Sequence, residues 1–317
     1  MTPSHKGATV AKLQVERLDN IGAKVEGFDI NEPIDEALAA ELKALWYEHG
    51  MLLFRGQDID ASKQIEFSRL FGPLERHPLE VNISHEHPEL FVLESGGDRD
   101  AFNTAFYDDK PIVGRLDWHM DLHYTGKPNH GALLRAVTIA DEDGETGFGD
   151  LAHAYAALDE GTKTLIANLE VAYQFNMQRL NMRFVQHEGY APGPHSPKKP
   201  SDIGFPDFPD AIYPLVVKHP ITGDDVLEVV EQFLDRVIDP EKAGMTASDG
   251  DDLLLELVEH TRKPEFHYFH SWEPGDMILW DNWRIMHCTN GTKPGVKRLI
   301  NRTTIAGDVT LGRQLEA

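Results

Sequence analysis

The stretch EFHYFHSWEPGDMILWDNWRIMHCTNGTKPGVKRLINRTTI, residues 265–305, decides the fold. Four short runs rich in aromatic and aliphatic residues, at 265–272, 277–280, 285–290 and 297–305, are divided by Pro274-Gly275 and Pro294-Gly295. Proline lacks an N–H and glycine tolerates positive φ, so these pairs mark turns. Many short runs at this spacing predict strands of a sandwich or barrel. Outward from this stretch, residues 213–218, 226–230, 131–139, 90–94, 51–54 and parts of 12–30 also predict strands. Helices are expected at 34–49, 61–71, 151–169 and 251–262. In the first of these, Ile34, Leu38, Leu42, Leu45 and Trp46 form one stripe, and Gly50 stands where a C-terminal cap belongs. Asp60 is a good N-cap for the second. Two stretches predict long loops near the site: 95–116, rich in Gly, Asp and Asn, reads either as a lid or binding loop or as disorder, and 188–212 carries many Pro, Gly and His with little periodicity. The sum is a mainly β fold with flanking helices, in a single domain spanning 1–317.

Composition narrows the function. The chain has 317 residues, 41% hydrophobic and 26% charged, with one cysteine, Cys288, which excludes an intrachain disulfide. No apolar run approaches the ~18 residues of a membrane span. The N-terminal Met1-Thr2-Pro3-Ser4-His5-Lys6 has no signal-peptide core, so a cytoplasmic location is expected. A net charge of −23 opposes binding to nucleic acid, whose phosphates are met by Lys and Arg.

The chemistry centres on Asp117-Trp118-His119-Met120-Asp121. In an extended strand, His119 and Asp121 point to the same face. An imidazole and a carboxylate oxygen suit a first-row divalent metal, and one further histidine makes a 2-His-1-carboxylate triad with open coordination positions. Alone the pair is weak: chance gives about 2.7 His-x-acid patterns at this composition, and two occur, the other being His87/Glu89. His287, on a predicted strand, is the candidate third ligand, and a core histidine is the plain alternative. Arg298 and Arg302 share strand parity, and arginines facing the interior need anions to meet. Surface ion pairs are the competing reading. His123 shares parity with Asp121, whereas Cys288 should face away from the site.

Longer motifs sharpen this. They include Ile21-Gly22-Ala23 with Gly27-Phe28-Asp29, Leu53-Phe54-Arg55, Phe71-Gly72-Pro73-Leu74 followed by His77-Pro78, and Trp118-His119-Met120-Asp121. Further on stand Gly144-Glu145-Thr146, Val217-Lys218-His219-Pro220 with Thr222-Gly223, Trp280-Asp281-Asn282, and His287 through Arg298 to Arg302-Thr303. In order and spacing the chain resembles the taurine dioxygenase and 2,4-dichlorophenoxyacetate dioxygenase family of Fe(II)- and 2-oxoglutarate-dependent oxygenases. The resemblance implies a double-stranded β-helix (a cupin-like jelly roll), with His119, Asp121 and His287 as iron ligands. It implies that Arg298 binds 2-oxoglutarate with help from Thr146, and that His77 and Arg302 hold an anionic group of the substrate. The implied reaction consumes O₂, hydroxylates a small molecule bearing a carboxylate, sulfonate or sulfate, and releases succinate and CO₂. Where the hydroxylated carbon bears a heteroatom, that bond can then break. A dimer or tetramer is the implied assembly, with neither nucleic acid nor membrane as partner.

Two departures stand out. The interval from His77 to His119 is longer than in taurine dioxygenase. Glu80 stands where that enzyme has a substrate-contacting tyrosine, and Arg115 where it has an asparagine. Glu80 is expected to meet a substrate cation, and Arg115 to meet a second anion or to pair with Glu80. A catalytically silent small-acid or metal-binding jelly roll, and a zinc hydrolase using the same ligands, are the alternatives.

Overall fold

The computed structural model describes residues 13–315. The reading of the first six residues, the start of the strand region at residue 12 and both ends of the 1–317 span lie outside the described residues. The structure is mostly strand with a few helices. The largest sheet runs in the order Gln14–Arg17, Ala23–Glu26, Met51–Phe54, Met277–Asp281, Gly131–Thr138, Arg298–Ile305 and Leu74–Glu75, and Leu90–Ser95 also pairs with Arg298–Ile305. A four-stranded sheet of order His267–His270, Thr146–Asp150, Ile285–Thr289 and Leu116–His119 packs against it.

Side chains alternate across these strands with period two. Met51, Leu53, Ala132, Leu134, Ala136, Ile278, Trp280 and Ile300 of the large sheet meet Phe148 and Ile285 of the smaller one. Their neighbours Leu52, Phe54, Leu133, Met277, Leu279 and Ile305 face the other way, onto Leu42, Trp46 and Phe67 of the helices Glu36–His49 and Ala61–Ser68. Both faces of the central strands are covered, which is why Met51–Phe54 and Met277–Trp280 read as unbroken apolar runs. The outer face of the smaller sheet contributes Met286 to a third core, shared with the helix Ala247–Thr261 and the strands Glu170–Tyr173, Ala211–Pro214 and Leu234–Ile238.

Local signals set the helix ends. The Asp35 carboxylate accepts the Leu38 N–H at 2.8 Å, and Gly50 closes that helix at φ 68°. The 151–169 region divides into Leu151–Ala156 and Glu160–Ile166, capped by Asp150 and Asp159. The predicted 251–262 helix begins earlier, behind Thr246 and its capping box with Asp249.

The 95–116 stretch differs from the predicted loop. It holds a short helix, Asp100–Asn103, and a hairpin of Thr104–Tyr107 with Lys110–Val113, and Tyr190–Pro192 from the second predicted loop adds to the hairpin's edge. Asp108 and Asp109 turn the hairpin at φ 50° and 63°, positions aspartate tolerates. These strands are only three or four residues long, too short for period-two patterning to register, and one gains its pairing from a remote stretch.

Leu279 is fully buried between the large sheet and the helices. Leu279→Ala is expected to lower stability by about 2–5 kcal/mol. In urea denaturation the midpoint should fall with the slope unchanged.

Candidate metal centre

The strand Leu116–His119 ends on its histidine, and Asp121 lies just beyond it, before Leu122 turns the chain at φ 56°. His287 stands directly opposite His119 in the antiparallel pairing of Ile285–Thr289 with Leu116–His119. The two rings lie 4.1 Å apart between centroids. His287 Nε2 is 3.4 Å from Asp121 Oδ2, and His119 Nε2 is 3.9 Å from Asp121 Oδ1. One donor atom from each of the three falls within 4.8 Å of the others, the only such metal-competent group among the described residues. His119 Nδ1 lies 2.8 Å from the Asp117 carbonyl. A carbonyl can only accept, so this contact puts the proton on Nδ1 and presents the Nε2 lone pair to the centre.

Electrostatics favour the ligand forms. Burial alone would raise the Asp121 carboxyl, but the Arg302 charge, then His287, His119 and His77, hold it well below its ordinary value. Burial, then His119, push His287 well down, so its imidazole is neutral. Burial and then Arg302 push His77 down to about 3. Arg302 Nη2 is 2.9 Å from Asp121 Oδ2 but is not aligned as a hydrogen bond, so Asp121 Oδ2 and Arg302 Nε and Nη2 are buried without hydrogen-bond partners. Orphaned donors and acceptors facing one interior point fit a cation at the triad and an anion at Arg302.

Arg298 has no ion-pair partner among the described residues, and desolvation by burial pushes its guanidinium down to about 10, still charged at neutral pH. With Gly144, Ser271 and Trp272 it lines a cavity of about 150 Å³. The Trp272 indole N–H donates to Thr146 Oγ1 at 3.0 Å, which commits one hydroxyl lone pair and leaves the hydroxyl proton available. Larger cavities of about 550 and 620 Å³ elsewhere contain none of the triad residues.

The structure thus brings His119, Asp121, His287, Arg302 and His77 into mutual influence. Glu80 is exposed and ion-paired with Arg76, and Arg115 lies over the Tyr107 ring at 4.3 Å, so the two do not pair with each other. His123 is not directed by strand parity, because the strand has already ended. It is buried with Nε2 2.8 Å from Glu228 and its ring stacked on Tyr213. Cys288 faces the outer side of the small sheet, and burial pushes its thiol up to about 12.

Sequence reading missed two contributors. Tyr124 packs against Phe175, Phe208 and Phe233, and its phenol feels both Asp121 and Arg302. Asp117 receives a two-pronged ion pair from Arg179, at 2.7 and 2.8 Å, on the residue whose carbonyl orients His119. Both lie within a few residues of the metal motif, the one signal that could have found them.

A strand-rich chain with an interior His-Asp-His triad and a buried arginine awaiting an acid is the arrangement of a non-haem metal oxygenase. The chain belongs to the taurine catabolism dioxygenase TauD, TfdA family, which it matches over residues 14–304. It is 29% identical over 289 residues to an (S)-phenoxypropionate/alpha-ketoglutarate-dioxygenase of Sphingobium herbicidovorans, covering 90% of this chain and 92% of that protein. It is 27% identical over 296 residues to the alpha-ketoglutarate-dependent 2,4-dichlorophenoxyacetate dioxygenase of Cupriavidus pinatubonensis, covering 91% and 96%. The crystal structure of a taurine dioxygenase from Burkholderia xenovorans superposes with a TM-score of 0.72 at 26% identity, over 96% of this chain and 95% of that one.

The depressed His77 carries a stability consequence. Between its unfolded value near 6.5 and its folded value of about 3, the unfolded chain binds more protons, so stability rises with pH across that window. His77→Asn is expected to flatten the acid side of the stability–pH curve by up to about 1.4 kcal/mol per pH unit. Denaturation midpoints between pH 4 and 7, set beside wild type, measure it.

Proposed function

We propose that the protein is an Fe(II)- and 2-oxoglutarate-dependent dioxygenase that hydroxylates a small molecule carrying a carboxylate, sulfonate or sulfate. The observation that carries this reading is the His119, Asp121 and His287 triad, three donors of the right kind converging in the interior beside the buried Arg302, with the partly buried Arg298 on the same face of its strand. His119 Nε2, Asp121 and His287 would hold ferrous iron. When bound, iron with 2-oxoglutarate and O₂ supplies oxidative decarboxylation to succinate and CO₂, coupled to placing one oxygen atom in a substrate C–H bond.

The chain's residues do the rest. Arg298 anchors the far carboxylate of 2-oxoglutarate, the buried counter-anion its guanidinium lacks, and the free Thr146 proton adds a donor. Arg302 holds the anionic head of the substrate, with His77 as a neutral hydrogen-bonding neighbour. The aromatic wall of Tyr124, Phe175 and Phe233 excludes water from the substrate side. Glu80 and Arg115 are proposed as substrate contacts on the strength of their sequence positions alone, since Glu80 is exposed beside Arg76 and Arg115 lines the cavity on the outer side of the small sheet with Trp118 and Cys288. The two facing sheets support a jelly roll as the core of one domain with added segments at 95–116 and 188–212. A cytoplasmic location and a homo-oligomeric state belong to the same proposal. No described helix is long and apolar enough to cross a membrane.

Anaerobic addition of Fe(II) and then 2-oxoglutarate to metal-free protein is expected to raise a weak visible charge-transfer band that needs both additions. His119→Ala should abolish it, and Arg298→Ala should require at least tenfold more 2-oxoglutarate, the loss of one charge-assisted contact of about 1.5–3 kcal/mol. A well-folded, iron-loaded wild type without the band would overturn the proposal.

A further inference from the structure

Asn282 is fully buried in the turn joining Met277–Asp281 of the large sheet to Ile285–Thr289 of the small one. Its side-chain oxygen accepts the Asp121 N–H at 2.9 Å. Its side-chain nitrogen donates to the Asp121 carbonyl at 3.0 Å and to the Asn129 carbonyl at 3.1 Å. Its own backbone N–H donates to the His130 carbonyl at 2.8 Å. One amide therefore satisfies both backbone polar groups of a ligand residue, while belonging to the inter-sheet turn that leads into the strand of His287.

Residue 121 needs such a hold. The ladder of Leu116–His119 has ended, so no strand partner fixes it. The next residue, Leu122, sits at φ 56° and ψ 11°, in the left-handed region that a leucine enters at a cost of about 1–2 kcal/mol. Such a turn persists only where its surroundings over-determine it. A competing pull also exists, because Arg302 Nη2 lies 2.9 Å from the Asp121 carboxylate. An untethered Asp121 would be free to settle on that guanidinium and turn away from the imidazoles.

We infer that Asn282 is a positioning residue of the metal centre, locking the Asp121 backbone to the strand corner that carries His287 and so setting the separation of the carboxylate and imidazole donors. The inference rests on reading the triad as a metal centre. It assigns a role to the last residue of the Trp280-Asp281-Asn282 motif.

The test is Mn(II) binding by the full-length, metal-free protein, read from the loss of the free-ion EPR signal. Two variants are compared: Asn282→Ala, and Asn282→Leu, which keeps nearly the same shape but makes no hydrogen bond. Gln64→Ala serves as the control. Gln64 is equally buried and bonds the Asn301 carbonyl and Arg135, on the helical side of the large sheet. Both Asn282 variants are expected to weaken Mn(II) 10–100-fold, the usual loss when a residue supporting a ligand is removed. Gln64→Ala should lower the melting temperature with no change in Mn(II) affinity, since it touches no ligand. At saturating Mn(II), 2-oxoglutarate affinity of the Asn282 variants should match wild type, because Arg298 is untouched. Wild-type Mn(II) affinity in a folded Asn282→Leu protein overturns the inference, and that variant decides the matter should Asn282→Ala not fold. Equal losses of Mn(II) affinity in Gln64→Ala also overturn it, by showing a general effect of destabilisation. Failure of the wild type to bind Mn(II) overturns the metal-centre reading beneath it.

Discussion

The antiparallel register that sets His287 opposite His119 is the constraint on which the site depends. Strand side chains alternate, so a slip of one residue would carry an imidazole to the outer face, where Trp118 and Cys288 now lie. The slip is prevented by what flanks it. Ile285 is buried between the sheets, and Met286 is buried in the core on the opposite side. Phe148 faces His287 across the next ladder, and Trp280 lies 4.9 Å from its ring. The hydrophobic effect fixes the register, and the register fixes the donors.

A contrast of scale runs through the electrostatics. The whole chain carries a net charge of −23, yet beside Asp121 the buried Arg302, with the partly buried Arg298 on the same face of its strand, sets a locally positive field. Surface acids are screened within a Debye length of about 8–10 Å in physiological salt, whereas buried charges are not. An acidic protein can therefore present a positive interior to an acid, provided the arginines are seated where water does not dilute their field.

Much of the β core is legible in the sequence, because its strands announce themselves as short apolar runs cut by Pro-Gly turns. Helix ends are legible where a capping residue stands, as at Asp60 and Gly50. The convergence of His119 with His287 is not a property of either local pattern, since 168 positions separate them along the chain; a strand position made His287 a candidate, and the resemblance to a family singled it out. Strand parity gave a useful picture of His119 but an incomplete one of Asp121, which lies past the strand end and takes its place from a turn and a buried amide. The pairing of 104–107 with 190–192 left no trace in periodicity, because three residues are too few to show any.

That small sheet has a consequence for how the two segments behave when altered. Its edge strand, Tyr190–Pro192, is supplied by a stretch far from the hairpin it completes. Tyr190 and Tyr107 lie with ring centroids 5.5 Å apart, and the Arg179 guanidinium lies 4.7 Å from the Tyr190 ring. Two separate segments thus form one unit. Removing Tyr190–Pro192 alone would leave the Thr104–Tyr107 edge with unpaired N–H and C=O groups. The two segments therefore depend on each other for their order, although each is distant from the other along the chain.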